Sequence, residues 1–422
     1  MTVQSQRTTR ALDKSLSALL ILMLVGCKAA AAPDPDIEES VQLSRRFQME
    51  PTVAAAVIPA NEMFPEWRPE LLRYLVGGGF RDDSTLGFQL AHSAVIMSDG
   101  SIFLASYRPP FVRYSAARGN VAHLGVTGEG PGEYRQIQWI ARFRGDSLRI
   151  WDGILRRLAT LDPEGRVVAE ARPSPKLRDA LEFWPSRLFD DGRLLAIGRR
   201  GVPEAAGNLI IRGDLLLVDS SNSVVESLAK DVPLGEMHLK EAPNQPGMDR
   251  SYSVVTPPFT RYGLTAAGGQ RWCYTWTGGA DLYCGGTKGE QVVSVRDTLA
   301  QRVVDDSTMV RHLDELGVLE GAGDQRKARI IGWKQHWTHD FLPRWSRMVM
   351  DDQERIWLQR YRNPLDSQEQ VIVLDRHFAP VARFVFEGGW QLLAARGQIA
   401  VVAKRTGSGG VAKVLSLSSG EL

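Results

Sequence analysis

Asp99-Gly100-Ser101-Ile102-Phe103-Leu104, Gly145-Asp146-Ser147-Leu148-Arg149-Ile150-Trp151 and Asp191-Gly192-Arg193-Leu194-Leu195-Ala196 share one layout: a tight turn that opens into a mostly apolar strand. Weaker copies stand at Gly268-Gly269-Gln270-Arg271-Trp272, Gln353-Glu354-Arg355-Ile356-Trp357-Leu358 and Arg396-Gly397-Gln398-Ile399-Ala400-Val401. An apolar strand precedes each turn, as in Ala94-Val95-Ile96-Met97 and Arg347-Met348-Val349-Met350. Downstream of most lies a second hairpin, clearest at Leu161-Asp162-Pro163-Glu164-Gly165-Arg166-Val167-Val168. Two hairpins in a row make four antiparallel strands. The turn falls at residues 100, 145, 192, 269, 354 and 397, giving intervals of 45, 47, 77, 85 and 43 residues. Three of these match a four-stranded blade of about 40–50 residues, and two carry insertions, at about 229–260 and 305–343. Six units predict an all-β fold, a six-bladed β-propeller of four-stranded antiparallel blades over residues 66–422.

The sixth unit reaches Val414-Leu415-Ser416-Leu417 and turns at Ser418-Ser419-Gly420 without an outermost strand. An open strand edge invites aggregation. Glu70-Leu71-Leu72-Arg73-Tyr74-Leu75-Val76, ahead of the first unit, is the expected donor, so that N-terminal and C-terminal strands close the ring in one blade. In the second insertion, Asp306-Ser307 followed by Val310, Leu313, Leu316 and Leu319 predicts a short capped helix with one apolar stripe.

Thr127-Gly128-Glu129-Gly130-Pro131-Gly132-Glu133-Tyr134, between the first two units, resembles the Gly-x-Gly-Pro-Gly-Glu-aromatic signature of bacterial six-bladed propellers related to NHL repeats. Leu342-Pro343-Arg344-Trp345-Ser346-Arg347 and Ile356-Trp357-Leu358-Gln359-Arg360-Tyr361 resemble that group as well. The resemblance implies a fold and says little of function, because propellers host unrelated activities. The glycines are not expected to cradle phosphate: Pro131 removes a backbone donor and no helical pattern follows.

The N-terminus has a secretory layout. Arg7, Arg10 and Lys14 precede an apolar run from Leu16 to Val25, then Gly26 and Cys27. The run is shorter than the roughly 20 residues that a spanning helix needs. Leu24-Val25-Gly26-Cys27 resembles the lipobox of bacterial lipoproteins. That resemblance implies a signal peptide over 1–26, a lipid on Cys27, and attachment to the outer rather than the inner membrane, since Lys28 and not an acid follows. Residues 27–65, rich in Ala and Pro at their start, read as a flexible tether. The chain carries +2 overall and all of that lies in the signal peptide, so the mature part is neutral and nucleic acid is not an expected partner. A monomer is expected.

Cys273 and Cys284 flank Thr277-Gly278-Gly279-Ala280, and a two-residue hairpin there would set them opposite each other. An oxidising compartment permits a disulfide between them, although a two-residue turn would give that pair the wider cross-strand spacing.

Candidate ligand-binding residues come from the loops joining second to third strands and from the starts of the inner strands, which share one face. The loops contribute Arg108, Arg113, Arg156, Arg199, Arg360 and Arg362; the strand starts contribute Trp184, Arg187, Arg347 and Trp390. Twelve bases against five acids in those loops suggest an electropositive rim, and arginine grips carboxylates and phosphates bidentately. The same residues would equally serve as a solvated rim, and the tryptophans as wedges between blades. His336, His339 and Asp340, between Trp333 and Trp337, are the types that could hold a divalent metal, but no fixed zinc spacing is met and no cofactor is expected. The reading that results is a lipid-anchored envelope propeller binding an anionic small molecule, a glycan or an envelope protein. The alternative is a propeller hydrolase or lyase acting on an anionic saccharide or lactone in the central channel. No catalytic residues are identifiable, and the sequence leaves open whether the protein is an enzyme.

Overall fold

The computed structural model describes residues 53–58, 64–76, 91–106, 111–172, 182–199, 207–219, 223–242, 251–255, 259–288, 292–297, 302–316, 318–319, 323–334, 339–406 and 409–419. Cys27, the signal peptide, Arg108 and His336 lie outside them, as does the side chain of Trp184.

All six turn positions adopt the left-handed backbone: Gly100, Gly145, Gly192, Gly269 and Gly397 with φ between 56° and 92°, and Glu354 at 57°. That conformation is nearly free for glycine and costly for other residues. It reverses the chain between the first and second strands of each blade. Asp carboxylates brace several of the reversals: Asp351 accepts from the amides of Gln353 (2.9 Å) and Arg355 (3.0 Å), and Asp191 from that of Arg193 (3.0 Å).

The blades run Ala91–Ile96, Ile102–Ser106, Phe111–Tyr114, Val121–Leu124; then Ile137–Phe143, Ser147–Asp152, Arg157–Leu161, Val167–Ala171; then Glu182–Leu188, Leu194–Arg199, Gly207–Val218, Val224–Ala242. Blades 4 and 5 are Gly263–Gly268, Arg271–Trp276, Asp281–Gly286, Val293–Asp297 and Trp345–Met350, Ile356–Arg360, Gln368–Leu374, Pro380–Glu387. Blade 6 is Gln391–Arg396, Ile399–Thr406 and Gly409–Ser419, completed by Trp67–Val76 from the other end of the chain. This strand pairs antiparallel with Gly409–Ser419 from Trp67↔Ser419 to Val76↔Ala412. Trp67 is buried between blades 5 and 6, edge-on to Trp357 at 6.0 Å.

Apolar clusters between neighbouring blades form the core. Arginines stitch one blade to a turn of the next: Arg149 donates to Gly192 O (2.8 Å), Arg193 to Thr287 O (3.2 Å), Arg271 to Arg376 O and Arg355 to Gly397 O.

Four features differ from the sequence reading. The tether is shorter than 27–65: Val53–Ile58 joins blade 4 as a fifth strand, parallel to Val293–Asp297, and Ile58 and Phe64 are buried in the core. Val53, Val57 and Ile58 suit a strand but the three alanines do not, and the pairing with Val293–Asp297 decides it. The first insertion is not separate from its blade, because Val224–Ala242 is one 19-residue strand that pairs with Gly207–Val218 and carries Ser251–Val255 on its outer side. The second insertion holds two helices, α1 (Asp306–Glu315) and α2 (Asp324–Lys334), not one. Asp305, one residue earlier than expected, caps α1 by accepting from Thr308 N at 2.7 Å. Leu316 follows the last turn and is 60% exposed, so the buried stripe is Thr308, Met309 and Leu313.

Helix α1 packs on Phe259, Val304 and Leu342, and the His312 ring lies 4.5 Å from that of Phe259. Burial, aided by the charge of Arg362, pushes the His312 pKa down to about 4.

Two outcomes are expected. Trp67→Ala should lower the unfolding free energy by about 3–5 kcal/mol in urea, while Leu71→Ala, at a half-exposed site in the same strand, should cost under about 1 kcal/mol. Equal costs would mean that Trp67 does not anchor the closure. Between about pH 4 and pH 6.5 the folded chain binds fewer protons at His312 than the unfolded chain, so stability is full above 6.5 and falls as pH drops toward 4. His312→Gln should flatten that part of a melting-temperature profile; an unchanged slope would assign the pH dependence to other groups.

Candidate functional site

The six inner strands contact one another in a closed ring around the centre of the propeller. Polar groups join several neighbours. Ser93 Oγ accepts from Ile140 N at 3.1 Å, the Ser186 and Thr265 hydroxyls are hydrogen-bonded, and the Tyr262 hydroxyl donates to Ser346 O at 2.9 Å. Arg347 Nη2 donates to Gln391 Oε1 at 2.5 Å, and Arg187 Nη1 to the carbonyl of Ser186 at 2.7 Å.

Arg187 and Arg347 stand on blades 3 and 5, with blade 4 between them, yet their charges act on each other. Both stand on innermost strands, which ring the centre of the propeller. Burial pushes the Arg187 pKa down to about 10, with the positive charge of Arg347 adding to the effect. At neutral pH the guanidinium stays charged. Burial raises the Tyr262 phenol, against the opposing influence of Arg347. The partners of both guanidiniums are neutral oxygens, and among the described residues no carboxylate pairs with either. Two like charges so placed favour a bound anion over an empty site.

The other arginines of the expected rim are mostly committed elsewhere. Arg362 pairs with Glu315 of α1 (2.7 Å) and with buried Glu369 (3.2 Å), and donates to the carbonyls of Pro364 and Asp366. It fastens the helical insertion to blade 5. Arg113 is on a strand near the opposite end of its blade, 3.8 Å from Asp99. Arg199 is 8% exposed and Arg360 7%, the latter against the Trp345 ring. Arg156 is exposed at a turn, with φ 48°. Trp390 is buried in the core between blades 5 and 6, with the Lys413 ammonium 4.0 Å from its ring centre, so it is not presented to a ligand.

His339 pairs with Glu236 at 2.8 Å, and Asp340 is exposed, its carbonyl accepting from Val304 N. Among the described residues no group of three His, Cys, Asp or Glu side chains comes together as a metal site. Cys273 and Cys284 form a buried disulfide, with Cα atoms 4.1 Å apart. That is the close cross-strand spacing rather than the wide one, because the last paired residues are Thr275 and Leu282 and the turn is longer than two residues.

The Gly128–Tyr134 stretch is a structural corner between blades 1 and 2. Glu133 Oε2 accepts from the amides of Glu129 and Gly130, both at 2.8 Å, and a Cβ on Gly128 would meet that same oxygen at 2.0 Å. Buried Arg157 donates to the carbonyls of Gly130 (3.0 Å) and Glu133, and Tyr134 packs edge-on to Phe111 at 5.6 Å.

The sequence reading missed Gln391 and Asp297, and counted Glu369 among the loop acids without pairing it with Arg362. Gln391 directly follows Trp390 at an inner-strand start, so position alone could have suggested it. Nothing local marks the acids as partners, since Glu315 and Glu369 reach Arg362 from different elements.

No family model and no curated protein matches the chain. Among solved structures, an exported protein of Bacteroides fragilis is similar at 11% identity and a TM-score of 0.48, covering 87% of this chain and 98% of its own. Virginiamycin B lyase from Staphylococcus aureus is similar at 7% identity and 0.41, covering 84% and 100%. Regucalcin from Agrobacterium tumefaciens is similar at 10% and 0.39, covering 88% and 98%. Likenesses this distant say nothing of ligand or chemistry.

One comparison separates inner-strand arginines from scaffold arginines. Arg347→Met removes a repulsion and should leave the ligand-free melting temperature unchanged or raised, by up to about 1 kcal/mol in stability. Arg362→Met strands Glu369 without its cation and should cost about 3 kcal/mol. If Arg347→Met costs as much as Arg362→Met, the channel pair is structural.

Proposed function

We propose that this chain is a lipid-anchored cell-envelope propeller that binds an anionic ligand in its central channel, held by Arg187 and Arg347. The observation that carries the reading is the placement of Arg187 and Arg347 on innermost strands of non-adjacent blades, each donating to a neutral oxygen and neither paired with a carboxylate among the described residues. Tyr262 and Gln391 stand beside them as polar groups that a ligand's hydroxyls or amides could meet. An acidic sugar fits this set: a carboxylate for the guanidiniums and hydroxyls for the neutral partners. The basic-then-apolar order of residues 1–26, ending at Cys27, supports the envelope location. Monomeric action as a binding module, without a resident cofactor, is part of the same proposal.

The test is a thermal-shift series on the full chain with uronic acids, phosphorylated sugars and their neutral parent sugars, at low and high salt. An anion at about 100 times its Kd should stabilise the protein by about 2.7 kcal/mol. The shift should shrink with salt and vanish in the Arg187→Met/Arg347→Met double variant. Equal shifts from charged and neutral sugars, or a shift that survives the double substitution, would sink the channel reading. Turnover of a bound saccharide would move the protein to the hydrolase or lyase reading.

A further inference from the structure

A second cationic site stands apart from the channel, at the junction of blades 4 and 5. Arg360 ends the second strand of blade 5 and is 7% exposed, its guanidinium carbon 5.7 Å from the centre of the Trp345 ring. Its side chain has no ion pair among the described residues, and burial lowers its pKa from the usual value. Arg302 and Arg344 both act on it as like charges. The buried acid that acts on Arg360 is Asp297, and its Oδ2 already accepts from Arg344 Nη1 at 2.9 Å. Arg302 is paired with Asp366, at the surface. The backbone brings the three together: Arg360 is paired with Trp345, the Arg344 carbonyl accepts from Tyr361 N at 3.0 Å, and the Arg302 carbonyl accepts from Leu342 N at 2.9 Å.

We propose that Arg360, with Arg302 and Arg344, forms an oxyanion site that takes a phosphate or sulfate group. Several guanidinium forks around one point suit a tetrahedral dianion better than a planar monoanion, because they present N–H donors from more than one direction. Trp345 beneath Arg360 holds the guanidinium plane by a cation–π contact and keeps water from one face of it. The site does not depend on the channel: Arg187 and Arg347 are not among the charges that act on Arg360. The group belongs either to free phosphate or to a phosphorylated molecule whose remainder lies outside the cluster.

Isothermal titration of inorganic phosphate, sulfate and acetate into the full chain at matched ionic strength tests this, with glycerol phosphate as the monoester arm. Phosphate and sulfate should bind and acetate should bind at least about tenfold more weakly. Arg360→Met should weaken phosphate by about tenfold or more, and Arg118→Met, at an exposed turn of blade 1, should leave it unchanged. Should Arg360→Met fail to fold, Arg302→Gln at the exposed edge should still weaken binding severalfold, and Asp366→Asn should tighten it by freeing Arg302. Glycerol phosphate binding tighter than phosphate would assign the group to a larger ligand, and equal binding to the free ion. No heat from either dianion in folded protein, or loss of binding in Arg187→Met with none in Arg360→Met, would overturn the site.

Discussion

Closure of the ring is the constraint on which everything else depends. A blade sequence of this kind leaves its last sheet one strand short, and the backbone groups of Gly409–Ser419 would face water unpaired. Trp67–Val76 supplies the partner, so the two ends of the chain are held in one sheet. The pairing is non-local in the extreme, and its loop-closure entropy must be offset by burial as well as by hydrogen bonds. Trp67 provides that burial, wedged against Trp357. Only when the ring is closed do the inner strands of blades 3 and 5 have a fixed separation, and only then do Arg187 and Arg347 confront each other.

The chain uses arginine in three physically different ways. On the hairpin-turn side, Arg149, Arg193, Arg271 and Arg355 donate to turn groups of the following blade, which ties neighbours together without a hydrophobic contact. Around the insertion, Arg362 and Arg344 neutralise buried carboxylates, where removing one partner would leave an isolated charge in a low-dielectric setting. In the channel and at Arg360 the guanidiniums have no acid of their own among the described residues. Charge left without a counter-charge lowers the stability of the folded state. The helical insertion belongs to the second group: its first helix is held by Arg362 and by the apolar contacts of Met309 and Leu313, so it is a fixed part of the blade 4–5 side.

Much of the architecture was legible from the chain alone. Five glycines and Glu354 mark the six reversals, because a left-handed residue between two alternating apolar runs folds them back on each other as a hairpin. The missing outer strand of the sixth unit and its N-terminal replacement followed from the same count of strands. Where the pattern was interrupted, legibility fell. The turn spacing put an insertion at about 229–260, but Val224–Ala242, despite Pro233 and Gly235, pairs with the long third strand and continues the sheet. Val53–Ile58 is short and sits after a Pro-rich stretch, and only its place beside blade 4 makes it a strand.

The candidate site divides along the same line. Local sterics and alternation act between neighbours in sequence, so turns, strands, the number of blades and the positions of inner-strand residues such as Arg187 and Arg347 can be derived from residue order. Charge acts through space and is cancelled by whatever the fold brings near. Arg362 and Arg360 are two residues apart and equally basic in the sequence, yet Glu315 and Glu369 reach the first, while the second faces Trp345 and two further arginines. Which arginine is paired with an acid and which is not is set by acids distant in sequence, and their distances exist only once the ring has closed.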